Sequence, residues 1–125
     1  MKTFETGATR NVNEHKVRYN KIFHPAVMQV FGDYMTRCSL QDDGTYRSFD
    51  NWQRGIPIEA YANSLESHTH QIQLFANGCV DMMEEELEDA ACAVIFNAMG
   101  ILHEFLVDEG FFERKPFDDP GPVHD

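Results

Sequence analysis

Positive charge is scarce in this chain. It has 10 Lys and Arg against 21 Asp and Glu, a net charge of −11. So acidic a surface repels phosphate backbones, which argues against a broad nucleic-acid footprint. A small phosphorylated ligand stays open, because a bound metal ion reverses the local electrostatics. Cysteine is also sparse. Cys38, Cys79 and Cys92 are odd in number and lack metal-type spacing, so reduced thiols in a cytoplasmic compartment are expected. No uninterrupted run of 18 apolar residues occurs, so no membrane span is expected. Met1 to Arg10 has no hydrophobic stretch, so no secretory signal is expected. Internal repeats, heptad arrays and persuasive strands are likewise missing.

What remains is helical pattern. The 125 residues suit one domain, 1–125, with a loose or wrapping N-terminal segment over 1–20. His24-Pro25 marks a helix start with Pro25 at the first helical position. Val27, Val30, Phe31, Tyr34, Met35 and Cys38 then follow at the spacing of one helical face. Asp42 to Thr45 form a turn cluster, and Tyr46 to Pro57 has too many breakers for a helix. Pro57 opens a second helix with an apolar stripe at Ile58, Tyr61, Ala62, Leu65, Thr69, Ile72 and Phe75 or Ala76, closed by Asn77-Gly78. A third helix is expected from about Asp81 to Val107. Its predicted core face is Met83, Leu87, Ala90, Ala91, Val94, Ala98, Ile101, Leu102 and Phe105. The segment 114–125 is rich in proline and without periodicity, as an extended arm would be. The fold class is all-α, a bundle of three long helices plus short helices and an extended C-terminal arm.

The chemistry concentrates at Glu85-Glu86-Leu87-Glu88-Asp89. On a helix, Glu86 and Asp89 are three apart and share a face, and Asn97 falls on the same stripe three turns on. On the second helix, Glu59, Asn63, Glu66 and His70 make another stripe, with spacings of 4, 3 and 4. A short connection makes these helices antiparallel neighbours. Two converging polar stripes would then gather oxygen ligands, as Mg²⁺ or Mn²⁺ requires. Each feature also has a plain structural reading. The acidic run can be a solvated helix start, the Glu66/His70 stripe an exposed face, and Trp52 a plug at the base of the bundle. Asn97, inside an apolar stretch, needs partners from a neighbouring helix or from a ligand. His68 and His70, two apart, point in different directions and do not suggest zinc. Trp52 with Arg54 could stack on and grip a nucleotide.

Glu85-Glu86-Leu87-Glu88-Asp89, followed by the run to Asn97, resembles the signature helix of MazG-like all-α nucleoside triphosphate pyrophosphatases, which set a Glu-Glu-x-x-Asp helix opposite a Glu-x-x-Glu helix. A related phage family, the dATP/dGTP diphosphohydrolases, is similar over about Lys16 to Pro120. The shared landmarks are His24-Pro25-Ala26-Val27, Asn51-Trp52-Gln53-Arg54-Gly55-Ile56-Pro57, the helix running to Phe75 and Gly78, the acidic segment, and Asp118-Asp119-Pro120. The upstream Glu-x-x-Glu is not intact. Glu66 has Thr69 at +3, His70 at +4 and Asn63 at −3, so Glu59, Asn63 and His70 compete as the second ligand on that helix.

The resemblance implies metal-dependent hydrolysis of a purine (deoxy)nucleoside triphosphate to the monophosphate and pyrophosphate, with Mg²⁺ or Mn²⁺. Glu66, Glu86 and Asp89 would be metal ligands, and Glu85 a ligand or the base that deprotonates water. Trp52 would meet the base, Asn97 the sugar or a phosphate, and Arg54, Arg114 or Lys115 the outer phosphates. Asn63 and His70 would line the substrate site. The resemblance also implies a homo-oligomer, dimer or tetramer, in the host cytoplasm were the chain phage-encoded. A non-catalytic acidic helical protein that engages a basic partner, such as an inhibitor of a host protein, is the alternative.

Overall fold

The computed structural model describes residues 2–10 and 16–117. A minimal antiparallel pair, β1 (Lys2–Thr3) with β2 (Thr9–Arg10), precedes four helices. These are α1 (Tyr19–Ile22), α2 (Pro25–Ser39), α3 (Ile58–Ala76) and α4 (Leu87–Asp108), with 3-10 turns at Asn51–Arg54 and Val80–Met82. The fold is all-α. Its only β features among the described residues are the two-residue pair and one bridge, Leu40 to Tyr46. Asp118-Asp119-Pro120 lies outside the described residues.

Helix boundaries follow local chemistry at three of the expected ends. His24 caps α2 by accepting the Ala26 N–H on Nδ1 at 3.1 Å, and Pro25 occupies the first turn. Pro57 precedes α3. Asn77 closes it, and Gly78 takes φ +76°, the left-handed conformation that glycine adopts without penalty.

The fourth helix corrects the expectation. It begins at Leu87 rather than about Asp81. The reason is tertiary. The Glu84 N–H donates to Gln71 Oε1 at 2.8 Å, and Glu85 pairs with His68 Nδ1 at 2.7 Å, so α3 holds this segment outside the helix. Glu86 is the N-cap, with extended backbone, and only Glu88 and Asp89 complement the helix dipole from the first turn.

Helices α3 and α4 form the centre, running antiparallel: Tyr61 meets Gly100, Ser64 meets Asn97, and Gln71 meets Glu84. The buried stripe of α4 is Ala90, Ala93, Asn97, Gly100 and Glu104, with Cys92 beside it. This lies one residue from most of the predicted stripe, or about 100° of helix rotation. Leu102 and Phe105, expected in the core, are exposed, as is Ile95. On α3 the buried positions are Tyr61 and Gln71, whereas Ile58 and Phe75 are exposed. The interface selects small side chains. A Cβ on Gly100 would lie 2.2 Å from the Tyr61 ring, so the two backbones can approach this closely only with glycine there. By length and composition α4 is apolar enough to cross a membrane, with mean hydropathy 1.8, yet it turns Asn97 and Glu104 onto neighbouring protein groups.

Over 114–117 the C-terminal segment has no helix or strand, and Arg114 anchors it to the bundle. Its guanidinium donates to both oxygens of the buried Glu104 carboxylate, at 2.9 and 3.0 Å, and to the Gln53 carbonyl at 3.0 Å. Gly55, at φ +122°, leaves room for it: a Cβ there would lie 3.3 Å from the guanidinium.

Candidate functional site

The acidic head of α4 is the first part of the site. Glu84, Glu85, Glu86 and Asp89 line a shallow cavity of about 470 Å³, together with Phe75, Val80, Met83 and Leu87. Two of these carboxylates already have partners. His68 holds Glu85, and Arg37, near the end of α2, donates to Asp89 Oδ1 at 3.0 Å.

An aromatic cleft of about 210 Å³ is the second part. Its walls include Tyr34, Met35 and Cys38 from α2, Asn51 and Trp52 from the 3-10 turn, and Phe96 from α4. Trp52 stands edge-on to Phe96, with centroids 6.2 Å apart, and to His103 at 5.0 Å. The Tyr61 hydroxyl reaches the Trp52 carbonyl at 3.4 Å, tying the 3-10 turn to the helix pair. Trp52 therefore both plugs the base of the bundle and walls a cleft.

The two parts adjoin along α2. Burial pushes the Tyr34 phenol up, helped by its hydrogen bond with Cys38 and by the negative charges of Glu85 and Asp89. Burial likewise raises the Cys92 thiol, with Glu88 and Asp89 adding to the effect. Both groups stay protonated near neutral pH and serve as neutral walls beside the carboxylates.

None of the second predicted stripe lines the acidic-head cavity itself. Glu59, Asn63, Glu66 and His70 are all exposed. Asn63, Glu66 and His70 line a second, open groove with Gln71, Met82 and Glu84, and Glu84 also lines the acidic-head cavity. The stripe that α3 presents to α4 and its head is Tyr61, Ser64, His68 and Gln71, offset by one or two positions. Apolar periodicity is weak here because the packed face is itself polar. The missed signal was the spacing of Ser64, His68 and Gln71, at i, i+4 and i+7.

The remaining predicted residues are placed as follows. Asn97 is buried, and its amide donates to the Ala93 carbonyl at 2.8 Å and to Ser64 Oγ at 3.3 Å. It therefore links the two helices. Arg54 stacks over the Phe117 ring at 4.2 Å. Lys115 pairs with Asp50, which holds the Asp50 carboxyl below its usual range. Arg114 serves the buried Glu104. Arg37 and Arg47 are the cations the sequence pattern did not single out: the first sits on Asp89 and the second lines the cleft.

The oxygen donors of the acidic head suit a hard divalent cation in their chemistry. Their arrangement is open: among the described residues, no group of three His, Cys, Asp or Glu side chains gathers in a metal-holding constellation. Glu86 and Asp89 line one cavity, whereas Glu66 lies in the other groove. Comparison of the chain with known protein families, curated proteins and solved structures gives no match.

Proposed function

We propose that the chain hydrolyses a purine (deoxy)nucleoside triphosphate to the monophosphate and pyrophosphate, with its base in the Trp52 cleft and its phosphates at the acidic head of α4. One observation carries this reading: α2 connects an aromatic cleft to a carboxylate cluster, since Tyr34 and Cys38 line the cleft while Arg37 lies over the Tyr34 ring at 5.7 Å and donates to Asp89 at 3.0 Å. At about 210 Å³ the cleft is smaller than the roughly 300–1,000 Å³ of a whole ligand pocket. It suits one ring system with the phosphates outside.

The residues divide the work accordingly. Trp52, Tyr34 and Phe96 offer aromatic walls for a base, and Asn51 and Ser48 supply hydrogen-bonding groups for its edge. Glu85, oriented by His68, is the group placed to take a proton from water. Glu86 and Asp89 are the carboxylates for Mg²⁺ or Mn²⁺, which when bound neutralises triphosphate charge and activates water. Arg37 is next to Asp89 and is the cation nearest the incoming phosphates. Glu66, Asn63 and His70 have no part in this arrangement, and Asn97 acts by joining α3 to α4.

Purified protein given Mg²⁺ or Mn²⁺ and each dNTP in turn is expected to release pyrophosphate from at least one of them. Glu85→Gln is expected to lower kcat by roughly 10²-fold or more. The open arrangement of the carboxylates favours a second reading, in which the acidic face binds a basic protein and performs no chemistry. Thermal shift separates the two, since a ligand at a hundred times its Kd stabilises by about 2.7 kcal/mol. No pyrophosphate and no shift with Mn²⁺ and dNTP would leave the second reading standing.

A further inference from the structure

Residues 111–117 run back from the end of α4 and take hold of the turn that carries Trp52. The Phe112 ring meets the His103 ring, with centroids 5.3 Å apart, and His103 in turn meets Trp52. Arg114 bridges the Gln53 carbonyl and the Glu104 carboxylate. Lys115 pairs with Asp50, one residue before the turn. The Phe117 ring lies against the Arg54 guanidinium. The turn has little hold of its own. Asn51 and Gln53 donate their N–H groups within the loop, to the carbonyls of Ser48 and Asp50. The Tyr61 hydroxyl is 3.4 Å from the Trp52 carbonyl, at the long end for a hydrogen bond. A 3-10 helix this short has poorer bond geometry than an α-helix, so what packs on it sets its position. Asn51 and Trp52 wall the aromatic cleft, whereas residues 111–117 line no part of it. They act on the cleft from behind its wall.

We infer that residues 111–117 are a positioning strap: they fix the Trp52 turn against α4 and so set the shape of the aromatic cleft, with Arg114 and Lys115 as the positioning residues. The two cations contribute unequally. The buried Glu104 carboxylate takes both prongs of the Arg114 fork, a charge-assisted pairing with fixed geometry. The same guanidinium's bond to the Gln53 carbonyl passes that rigidity to the turn. The Lys115–Asp50 pair is more exposed, so salt screens it and it is weaker. Arg114 is therefore the main anchor. For the site proposed above, the strap governs how firmly a base is held, a consequence that rests on that reading. The strap itself rests on the geometry of the turn and the segment, whichever molecule enters the cleft.

Trp52 is the chain's only tryptophan, so its emission reports on the turn in the full chain with no ligand added. The measurement is acrylamide quenching of that emission, well below the melting temperature of each variant. Arg114→Met is expected to raise the Stern–Volmer constant about twofold or more, as the released turn opens locally. Lys115→Ala with Phe117→Ala leaves Glu104 paired and is expected to give a smaller rise. Arg114→Lys keeps a cation beside Glu104 without the planar fork, and is expected to restore the melting temperature more than the quenching. Asn77→Ala removes a hydrogen bond to the Gln73 carbonyl at the far end of α3. It is expected to lower the melting temperature and leave the quenching unchanged. Unchanged quenching in both the Arg114→Met and the Lys115→Ala, Phe117→Ala proteins overturns the inference. So does a rise that Asn77→Ala matches. Pyrophosphate release is read separately, so the strap and the proposed reaction fail independently.

Discussion

Glu104 is an ionised carboxylate inside the protein, and its neighbours explain how it is tolerated. The bidentate bond from Arg114 is the main cause of its lowered pKa, with the hydrogen bond from His103 Nδ1 at 2.8 Å adding to it. A carboxylate with a folded pKa below its unfolded value stabilises the fold above the unfolded value, near 4.5. That contribution is lost as pH falls towards the folded value. Arg114→Met removes the chief partner while the charge stays buried. It is expected to cost about 2–3 kcal/mol at pH 7, less than the roughly 3–5 of a fully buried pair because Arg114 is a third exposed. The deficit should shrink below pH 4.5, as Glu104 is protonated in both proteins. Urea unfolding at pH 7 and pH 4 measures both effects, and equal midpoints at pH 7 would contradict the assignment. Arg114 was readable in the sequence only as a candidate phosphate ligand. Its partner lies ten positions away, and nothing in the spacing of a helix and a proline-rich segment indicates that they meet.

Helix α4 was legible as a helix but not in its orientation. Leu102 and Phe105 look like core positions, while Asn97, Gly100 and Glu104 look like interruptions. The structure reverses this, because close approach of two helices rewards small side chains and satisfied polar ones. Gly100 decides the approach. Gly100→Ala gains about 1 kcal/mol of helix propensity. It also places a Cβ 2.2 Å from the ring of Tyr61, itself 2% exposed. Overpacking of this kind costs about 1–3 kcal/mol and can exceed that where a buried ring must move. A net loss is therefore expected, visible as a lower melting temperature. Adding Tyr61→Leu should recover part of it, through coupling between touching residues. A stabilised Gly100→Ala protein would show that the helices can part at little cost. The start of α4 follows the same logic. Gln71 and His68 hold Glu84 and Glu85 in place, so the carboxylates that line up on an ideal helix are split between its cap, its first turn and the segment before it.

The whole molecule carries −11, and that charge is unevenly spread. Between 10 and 150 mM salt the Debye length shortens from about 30 to about 8 Å. Screening weakens the repulsion among the acidic residues of 81–89 and the rest of the chain. It also weakens exposed pairs such as Arg37 with Asp89, which are worth little individually. Net repulsion should win, and the melting temperature is expected to rise across that range at fixed protein concentration. A fall would mean that local opposite-charge pairs outweigh the global imbalance.

By itself the sequence determined the helical class, the Pro25 start, the Asn77-Gly78 stop and the presence of a carboxylate-rich segment before Asn97. These depend on residues within a turn or two of each other: backbone restraint at proline, left-handed freedom at glycine, and the 3.6-residue period. Tertiary structure alone decided which face of α4 meets α3, that His68 rather than Glu66 reaches the acidic head, and that Arg37 sits on Asp89. Those are choices between faces of helices that share a period. Helix register and side-chain size across the interface settle them, and neither is written in the spacing of one strip of residues. The acidic segment is thus the head of α4, with His68 of α3 on Glu85 and Arg37 of α2 on Asp89.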